Sequence, residues 1–468
     1  MSKKTFMKCA GVALSGLMAA SPVLAEEMPK TMEEMWKIIQ AQQKEIEVLK
    51  AKQAAAEEAA ATTTAGKPAE GGETDRKLGI LGEEIEKLKT KLVIPDEPEY
   101  KSMYGLGPAA SKVYQVSKGL SIGGYGEAFY QNLVDDEGTK KDNADFLRFV
   151  LYTGYKFSDN ILFNSELEFE HASTSKSGSV SVEFANLDFF LHPMANARAG
   201  LVLVPMGFIN EIHEPPFFHG VQRPEVERRI IPSTWRELGG GLFGEILPGL
   251  QYRMYAITGL LAGDEDDVRF SSDGIRGGRQ GGSKSVAEDW AFTGRVDYSP
   301  RWAPGLLVGG SAFLGNAAHG EDFGGKDVDV FTQLYEGHIQ YRYRGLELRA
   351  LGSWGHIDNA GVLSAAAGET IGSENFGWYA EAAYDVMPHL FPDSIQYLAP
   401  FVRYERLDTI AKAPSGFADD EFFDREIWQA GLTYKPIPNV VLKADYRNFV
   451  AKSGERPDEF NLGLGFIF

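Results

Sequence analysis

The chain has 468 residues, 43% of them hydrophobic and 24% charged, with 52 glycines, 12% aromatics and one cysteine. Sixty-six acidic against 47 basic residues give a formal charge of −19, which argues against a nucleic-acid backbone as partner, because affinity there comes from clustered lysine and arginine. A mean hydropathy of −0.24, with no apolar run of about 18 residues beyond the N-terminus, argues against crossing a membrane by helices.

The first element is a leader. Lys3, Lys4 and Lys8 precede an apolar stretch from Ala10 to Ala20, and Val23, Leu24 and Ala25 supply compact residues before Glu26. This reads as an export signal over 1–25, cleaved after Ala25. Cys9 lies inside it, so the mature chain has no thiol, and losing three lysines takes the charge from −19 to −22.

The second element, 26–95, carries a heptad. Met32, Met35, Ile39, Gln42, Ile46, Leu49, Gln53 and Ala56 alternate at spacings of three and four, and Leu78, Leu81, Ile85, Leu88 and Leu92 resume the spacing after an Ala, Thr and Gly-rich interruption at 54–72. Pro95 and Pro98 end it. The expectation is a self-associating periplasmic α-helical coiled coil, trimeric, against the plainer reading of one amphipathic helix. Residues 96–118 then read as a linker.

From Gly119 the period changes from 3.5 to two. Sixteen segments of about ten residues follow, bounded by Gly, Pro, Asn and Asp: 119–131, 145–157, 161–171, 180–191, 197–206, 235–246, 250–261, 288–299, 305–316, 329–343, 345–357, 374–387, 398–408, 424–436, 439–450 and 459–468. The connections alternate between tight turns, such as Ser158–Asn160 and Leu247–Gly249, and long loops, such as 207–234 and 262–287; the turn at 388–397 is too long for its side. An even strand count with one short-turn end and one long-loop end predicts an all-β fold, a 16-stranded antiparallel transmembrane β-barrel over 119–468. In the last strand Phe460, Leu462, Leu464, Phe466 and Phe468 share one face, suited to lipid, while Glu459, Asn461, Gly463 and Gly465 share the other.

The chain resembles bacterial outer-membrane porins, and within them the phosphate-selective porin O and P family. The resemblance covers 119–468 and rests on the strand count, the terminal Phe468 behind Phe466, Leu464 and Leu462, and the long connection after the fifth strand. It implies a Gram-negative outer-membrane location in lipid, a homotrimer, a terminal signal at Phe466 and Phe468 read by the barrel assembly machinery, and a third outer loop, 207–234, folded inward to narrow the pore. The expected activity is passive diffusion of small hydrophilic solutes or ions. A rival reading is a scaffold barrel housing a multihaem cytochrome.

Charge on that loop would select the solute, since arginines favour anions and carboxylates favour cations. The loop sets Arg223, Arg228 and Arg229 against Glu211, Glu214, Glu225 and Glu227. Alternation also points Arg148, Lys156, Arg198, Arg253, Arg295, Arg342, Arg349, Arg403, Lys443 and Arg447 inward, with Glu166, Glu168, Asp297, Glu347, Glu405 and Asp445. The loop lacks the lysine cluster of the phosphate-selective family, which leaves a weakly selective, salt-bridged pore and an anion-preferring one both open.

Other patterns are set aside. Gly239, Gly241 and Gly244 have dinucleotide-fingerprint spacing but no helix after them. His213, Glu214 and His219 resemble metal ligands, but Pro215 and Pro216 forbid the helix an HExxH site needs, so no metal is expected. Asp264, Glu265, Asp266 and Asp267 read as a solvated loop. No Ser, His and carboxylate set stands out for nucleophilic catalysis, so neither enzyme activity nor a cofactor is expected.

Overall fold

The computed structural model describes residues 101–134, 141–264 and 267–468; the leader and coiled-coil expectations lie outside the described residues. Two-residue alternation sorts each strand into a lipid side and an inner side, and backbone polar groups in lipid require every strand to have two neighbours. The described residues meet that requirement with sixteen antiparallel strands: β1 (Gly119–Val134), β2 (Asn143–Lys156), β3 (Ile161–Glu170), β4 (Val180–His192), β5 (Ala195–Leu203), β6 (Arg236–Leu247), β7 (Leu250–Thr258), β8 (Trp290–Tyr298), β9 (Leu306–Asn316), β10 (Phe331–Tyr343), β11 (Leu346–Ile357), β12 (Glu374–Tyr384), β13 (Tyr397–Lys412), β14 (Asp424–Ile437), β15 (Val440–Ala451) and β16 (Asp458–Ile467). Each pairs with its sequence neighbours, and β1 closes on β16 from Tyr125↔Ile467 to Val134↔Asp458.

The outer wall carries the apolar residues. Leu442, Tyr446, Leu462 and Leu464 are exposed, while Lys443, Asp445, Arg447 and Asn461 between them are buried. Aromatic rings run around part of this wall: Trp378 and Tyr404 lie 5.1 Å apart, and Tyr404 and Trp428 4.6 Å apart. The overlong turn between β12 and β13 holds a short helix, α2 (Met387–Leu390), while α1 (Ala360–Ala367) lies in the long loop between β11 and β12.

Alternation alone implies a water-filled interior, and here the structure differs. The largest apolar cluster lies inside the barrel, where Val204, Met206, Phe208, Val226, Ile230 and Trp235 from 204–235 pack with Phe270 and Ile275 from 259–289, Phe323 from 317–330, and inward wall residues such as Phe313 and Tyr379. Residues 101–118, expected only to connect, also pack inside. Leu106, Ala109 and Ala110 join Tyr125, Val150, Tyr152 and Phe184 in a second cluster.

Candidate functional site

The segment between β5 and β6 turns inward because its base is tied and its middle is stiff. Val204 N–H donates to Trp235 O (3.0 Å), adding one rung beyond β5 and β6. Asn210, fully buried, locks that neck: Nδ2 donates to Val204 O (2.7 Å) and Trp235 O (2.9 Å), and Oδ1 accepts from Trp235 N–H (2.7 Å). Gly207, at φ +68, makes the turn, and its carbonyl accepts from Arg295 on β8. Pro215 and Pro216 restrict the backbone beyond.

The chain then crosses to the opposite wall. Arg403 on β13 donates to His219 O (2.6 Å), Lys443 on β15 to Gly220 O (2.9 Å), and Val221 N–H to Asp445 Oδ2 (2.6 Å). Val226 N–H donates to Glu405 Oε2 at 3.2 Å. These bonds join 204–235 to strands on both sides of the barrel.

The seven loop residues expected to act as one filter occupy separate stations. Glu211 faces Arg253 (2.9 Å) and Arg295 (3.6 Å). Glu214 accepts from Ala109 and Ala110 N–H, at 3.0 and 3.3 Å, yet burial pushes its carboxyl up to about 8. Glu225 meets Arg229 (2.7 Å), Arg447 (3.3 Å) and Arg228 (3.5 Å); burial opposes its ionisation, but these three cations outweigh it and hold the carboxyl far below its usual range. Glu227 accepts from Ile209 N–H and Tyr379 Oη, both at 2.6 Å, and burial still raises it. Arg229 also pairs with Asp273 of the 259–289 loop. Arg228 is exposed, and Arg223 has no carboxylate within 4.0 Å among the described residues.

The wall cations are mostly paired. Arg148 meets Glu127 (2.8 Å) and Glu168 (2.9 Å), Arg198 meets Asp188 (2.7 Å), Arg253 and Arg295 share Asp297 (2.6 and 2.9 Å), Arg403 meets Glu381 (2.6 Å), and Arg447 meets Glu459 (3.0 Å). Arg342 lies at the turn-side mouth with Glu347 (3.0 Å), and Lys156 with Asp159 (3.5 Å). Arg349 and Lys443 are the exceptions, with no carboxylate within 4.0 Å among the described residues; Arg349 lies over the Phe208 ring (4.8 Å) and donates to Phe217 O (3.3 Å), and Lys443 lies over the Phe218 ring (3.6 Å). A cavity of about 190 Å³ on the turn side is bordered by Arg253, Arg295, Arg342, Arg349, Glu211 and Asp297. One of about 540 Å³ on the long-loop side is bordered by Lys141, Asp142, Arg456 and Glu459.

Two sets of inner residues have no signal in the sequence. Tyr114 Oη donates to Asp188 Oδ2 (2.8 Å), Arg198 reaches Tyr104 O (3.2 Å), and Asn164 reaches Ala110 O (2.9 Å), so 101–118 is tied to β3, β4 and β5. In the 259–289 loop, Arg276 and Arg279 bond to Ser233 O, at 2.5 and 2.8 Å. Burial, then their mutual repulsion and that of Arg228 and Arg223, lowers Arg276 to about 9; burial, then Arg236, lowers Arg279 to about 10. Gly239, Gly241 and Gly244 sit within β6, as expected of a strand.

The closed sixteen-stranded sheet with its apolar outer wall defines a transmembrane β-barrel fold. Among solved structures, the Salmonella typhi OmpF complex with daunomycin superposes with a TM-score of 0.50 at 12% identity, over 75% of this chain and 98% of that one. The outer membrane channel DcaP of Acinetobacter baumannii gives 0.49 at 12%, over 75% and 97%. No protein-family model matches the sequence. An uncharacterized protein of Aquifex aeolicus (strain VF5) is 38% identical over 394 residues, spanning 82% of this chain and 87% of the relative. The chain belongs to the family of that Aquifex aeolicus protein.

Proposed function

We propose that this protein is a passive outer-membrane porin of a Gram-negative bacterium, made as a precursor with a leader at 1–25, trimerised by a periplasmic coiled coil at 26–95, and conducting small hydrophilic anions past the inward segment 204–235. The observation that carries this reading is the segment itself, held across a barrel whose outer wall is apolar. A scaffold for a multihaem cytochrome would need an interior free for another folded protein, whereas 101–118 and 204–235 already pack there.

Anion bias follows from which charges remain uncancelled. By count the loop is negative, three Arg against four of its Glu. Glu214, at about 8, is largely protonated at neutral pH, and Glu227 is raised as well, while Arg223, Arg276, Arg279 and Arg349 lack a carboxylate partner among the described residues. Uncompensated guanidinium groups beside a narrow path attract anions by Coulomb force. With no lysine in 204–235, a general anion preference fits better than phosphate specificity.

Reversal potentials across a KCl gradient in planar bilayers test this. Arg223→Ala, Arg276→Ala and Arg279→Ala together are expected to lower the chloride-to-potassium permeability ratio more than Arg229→Ala, whose charge Glu225 and Asp273 already offset. An unchanged ratio in the triple variant discards the proposed selectivity.

A further inference from the structure

Metal ligands need not lie one helical turn apart in sequence. The fold instead brings His213 to two wall carboxylates distant in sequence. Glu166 of β3, Glu183 of β4 and His213 of the inward segment are each at most 2% exposed, and their candidate donor atoms lie within 4.8 Å of one another. His213 Nε2 is 3.1 Å from Glu166 Oε1 and 3.5 Å from Glu183 Oε2.

Glu183 reaches this point through a β-bulge. The pairing of β3 with β4 runs from Glu166↔Phe184 to Leu167↔Val182, so Glu183 is the extra residue. Val182 faces outward, and Glu183 and Phe184 are both buried. Strict alternation counted from Phe184, Asn186 and Asp188 would aim Glu183 at lipid; the bulge turns it inward, the re-aiming role that bulges serve beside functional sites.

The imidazole orientation shows what the cluster lacks. Nδ1 of His213 is 3.1 Å from Asn210 O. A carbonyl only accepts, so Nδ1 carries a proton, and in the neutral ring Nε2 presents a lone pair to two carboxylate oxygens. Something positive belongs between them. A proton on Nε2 satisfies Glu166 Oε1 alone, because Glu166 Oε2 and Glu183 Oε2 have no hydrogen-bond partner. Buried acceptors left in that state are costly.

A metal ion serves all three groups. Two ligands at about 2.0–2.1 Å in tetrahedral array stand roughly 3.4 Å apart, close to the 3.1 and 3.5 Å found here. The outer contacts are also those of a metal site: Nδ1–H on a backbone carbonyl fixes the ring, and Arg236 Nη1 holds Glu183 Oε1 at 2.9 Å, leaving Oε2 for the metal. Arg236, Arg148 and Arg223 reduce the local negative charge, while Glu168 beside Glu183 adds a third carboxylate.

We propose that Glu166, Glu183 and His213 bind a divalent transition-metal ion of the zinc type, with its remaining coordination position left to water. One imidazole and two carboxylates suit that class, and the ion would fasten the inward segment to β3 and β4. The test is calorimetric titration of Zn²⁺ alone into the EDTA-stripped, dialysed full-length mature protein in detergent, with heat-modified gel mobility reporting that each variant remains a closed barrel. One site per chain with micromolar or tighter affinity is expected, weakened at least tenfold by His213→Gln and by Glu183→Gln, and unchanged by His219→Gln. The two glutamine variants preserve side-chain shape, and Glu166→Gln replaces either one that fails to close. No Zn²⁺ binding by the parent, or equal binding in the ligand variants, overturns the assignment.

Discussion

Asn210→Ala isolates the neck of the inward segment. The substitution removes three hydrogen bonds of 2.7, 2.9 and 2.7 Å, but their loss is not uniform. Val204 O still accepts from Met206 N–H (2.8 Å), and Trp235 O from Val204 N–H (3.0 Å), so each lost carbonyl bond costs about 1 kcal/mol. Trp235 N–H is left buried without its acceptor, at about 1–3 kcal/mol. The sum, about 3–5 kcal/mol, bears on opening of the segment while the surrounding sheet stays paired. At about 1.4 kcal/mol per tenfold change, amide protection within 207–231 is expected to fall by roughly two to three and a half orders of magnitude, read by hydrogen exchange and mass spectrometry on the detergent-solubilised barrel. Protection in β15 is expected to remain unchanged. Asn210→Asp keeps the acceptor for Trp235 N–H but turns a carboxylate oxygen toward two carbonyls, so a comparable loss is expected. Less than about tenfold loss in Asn210→Ala would show that the neck is held by its apolar packing instead.

Acidification acts on the docked segment in two opposing ways: Glu214, raised to about 8 by burial, favours docking as pH falls, and His219 opposes it. Burial lowers its pKa to about 4, so the docked segment keeps the ring neutral while the released one takes up a proton near its ordinary value of about 6.5. At His219 the released state therefore binds more protons between those values, so its contribution to docking is lost as pH falls from 6.5 to 4, on the order of 3 kcal/mol at the limit; in a Glu214→Gln background amide protection in 216–222 should fall with pH, and adding His219→Gln should flatten that profile. Glu225→Gln leaves buried Arg447 with only Glu459 of its two carboxylate partners, and the loss of a partner in such a network costs about 3–5 kcal/mol; a lower thermal transition together with stronger anion preference is expected, and either one without the other separates support from selectivity. Deleting 101–115 removes the backbone donors of Glu214 and two of the partners of Arg198, Tyr104 O and Tyr114 Oη, so single-channel conductance should rise; equal conductance would place the narrowest point elsewhere. Removing Phe468, which exchanges two hydrogen bonds with Gly124 and stacks on Phe149 at 6.3 Å, should lower the yield of heat-modifiable barrel in outer-membrane fractions.

The wall was legible in the sequence because lipid on one side and polar groups on the other impose a period of two with few exceptions. The third segment, read as 161–171, runs Ile161–Glu170, and the fifteenth, read as 439–450, runs Val440–Ala451. Departures have local causes. β5 stops at Leu203 instead of 206 because Val204, Pro205 and Met206 turn into the interior. β13 continues to Lys412 instead of 408, where Ser373 N–H still donates to Lys412 O at 2.9 Å. The interior was not legible. Nothing in the local pattern joins Ala109 to Glu214, more than a hundred residues away, or Arg276 to the carbonyl of Ser233. Glu183 is the sharpest case, since the rule that reads the wall correctly everywhere around it assigns this residue to lipid. The bulge shows only in the folded pairing, in the register shift and in the doubled burial of Glu183 and Phe184.

The seam between β1 and β16 dictates an order of events. It joins the two ends of the barrel sequence, Tyr125 to Ile467, and encloses segments tied to walls on both sides. Once the seam is sealed, an insert can reach its place only through an end of the cylinder, whereas an open sheet admits it from the side. The inserts therefore seat most easily while the sheet is still open, and sealing leaves them only local opening within the wall. A lesion in either insert would therefore show twice, as fewer finished molecules and as looser seating in those that close, so that much of the quality is decided during biogenesis.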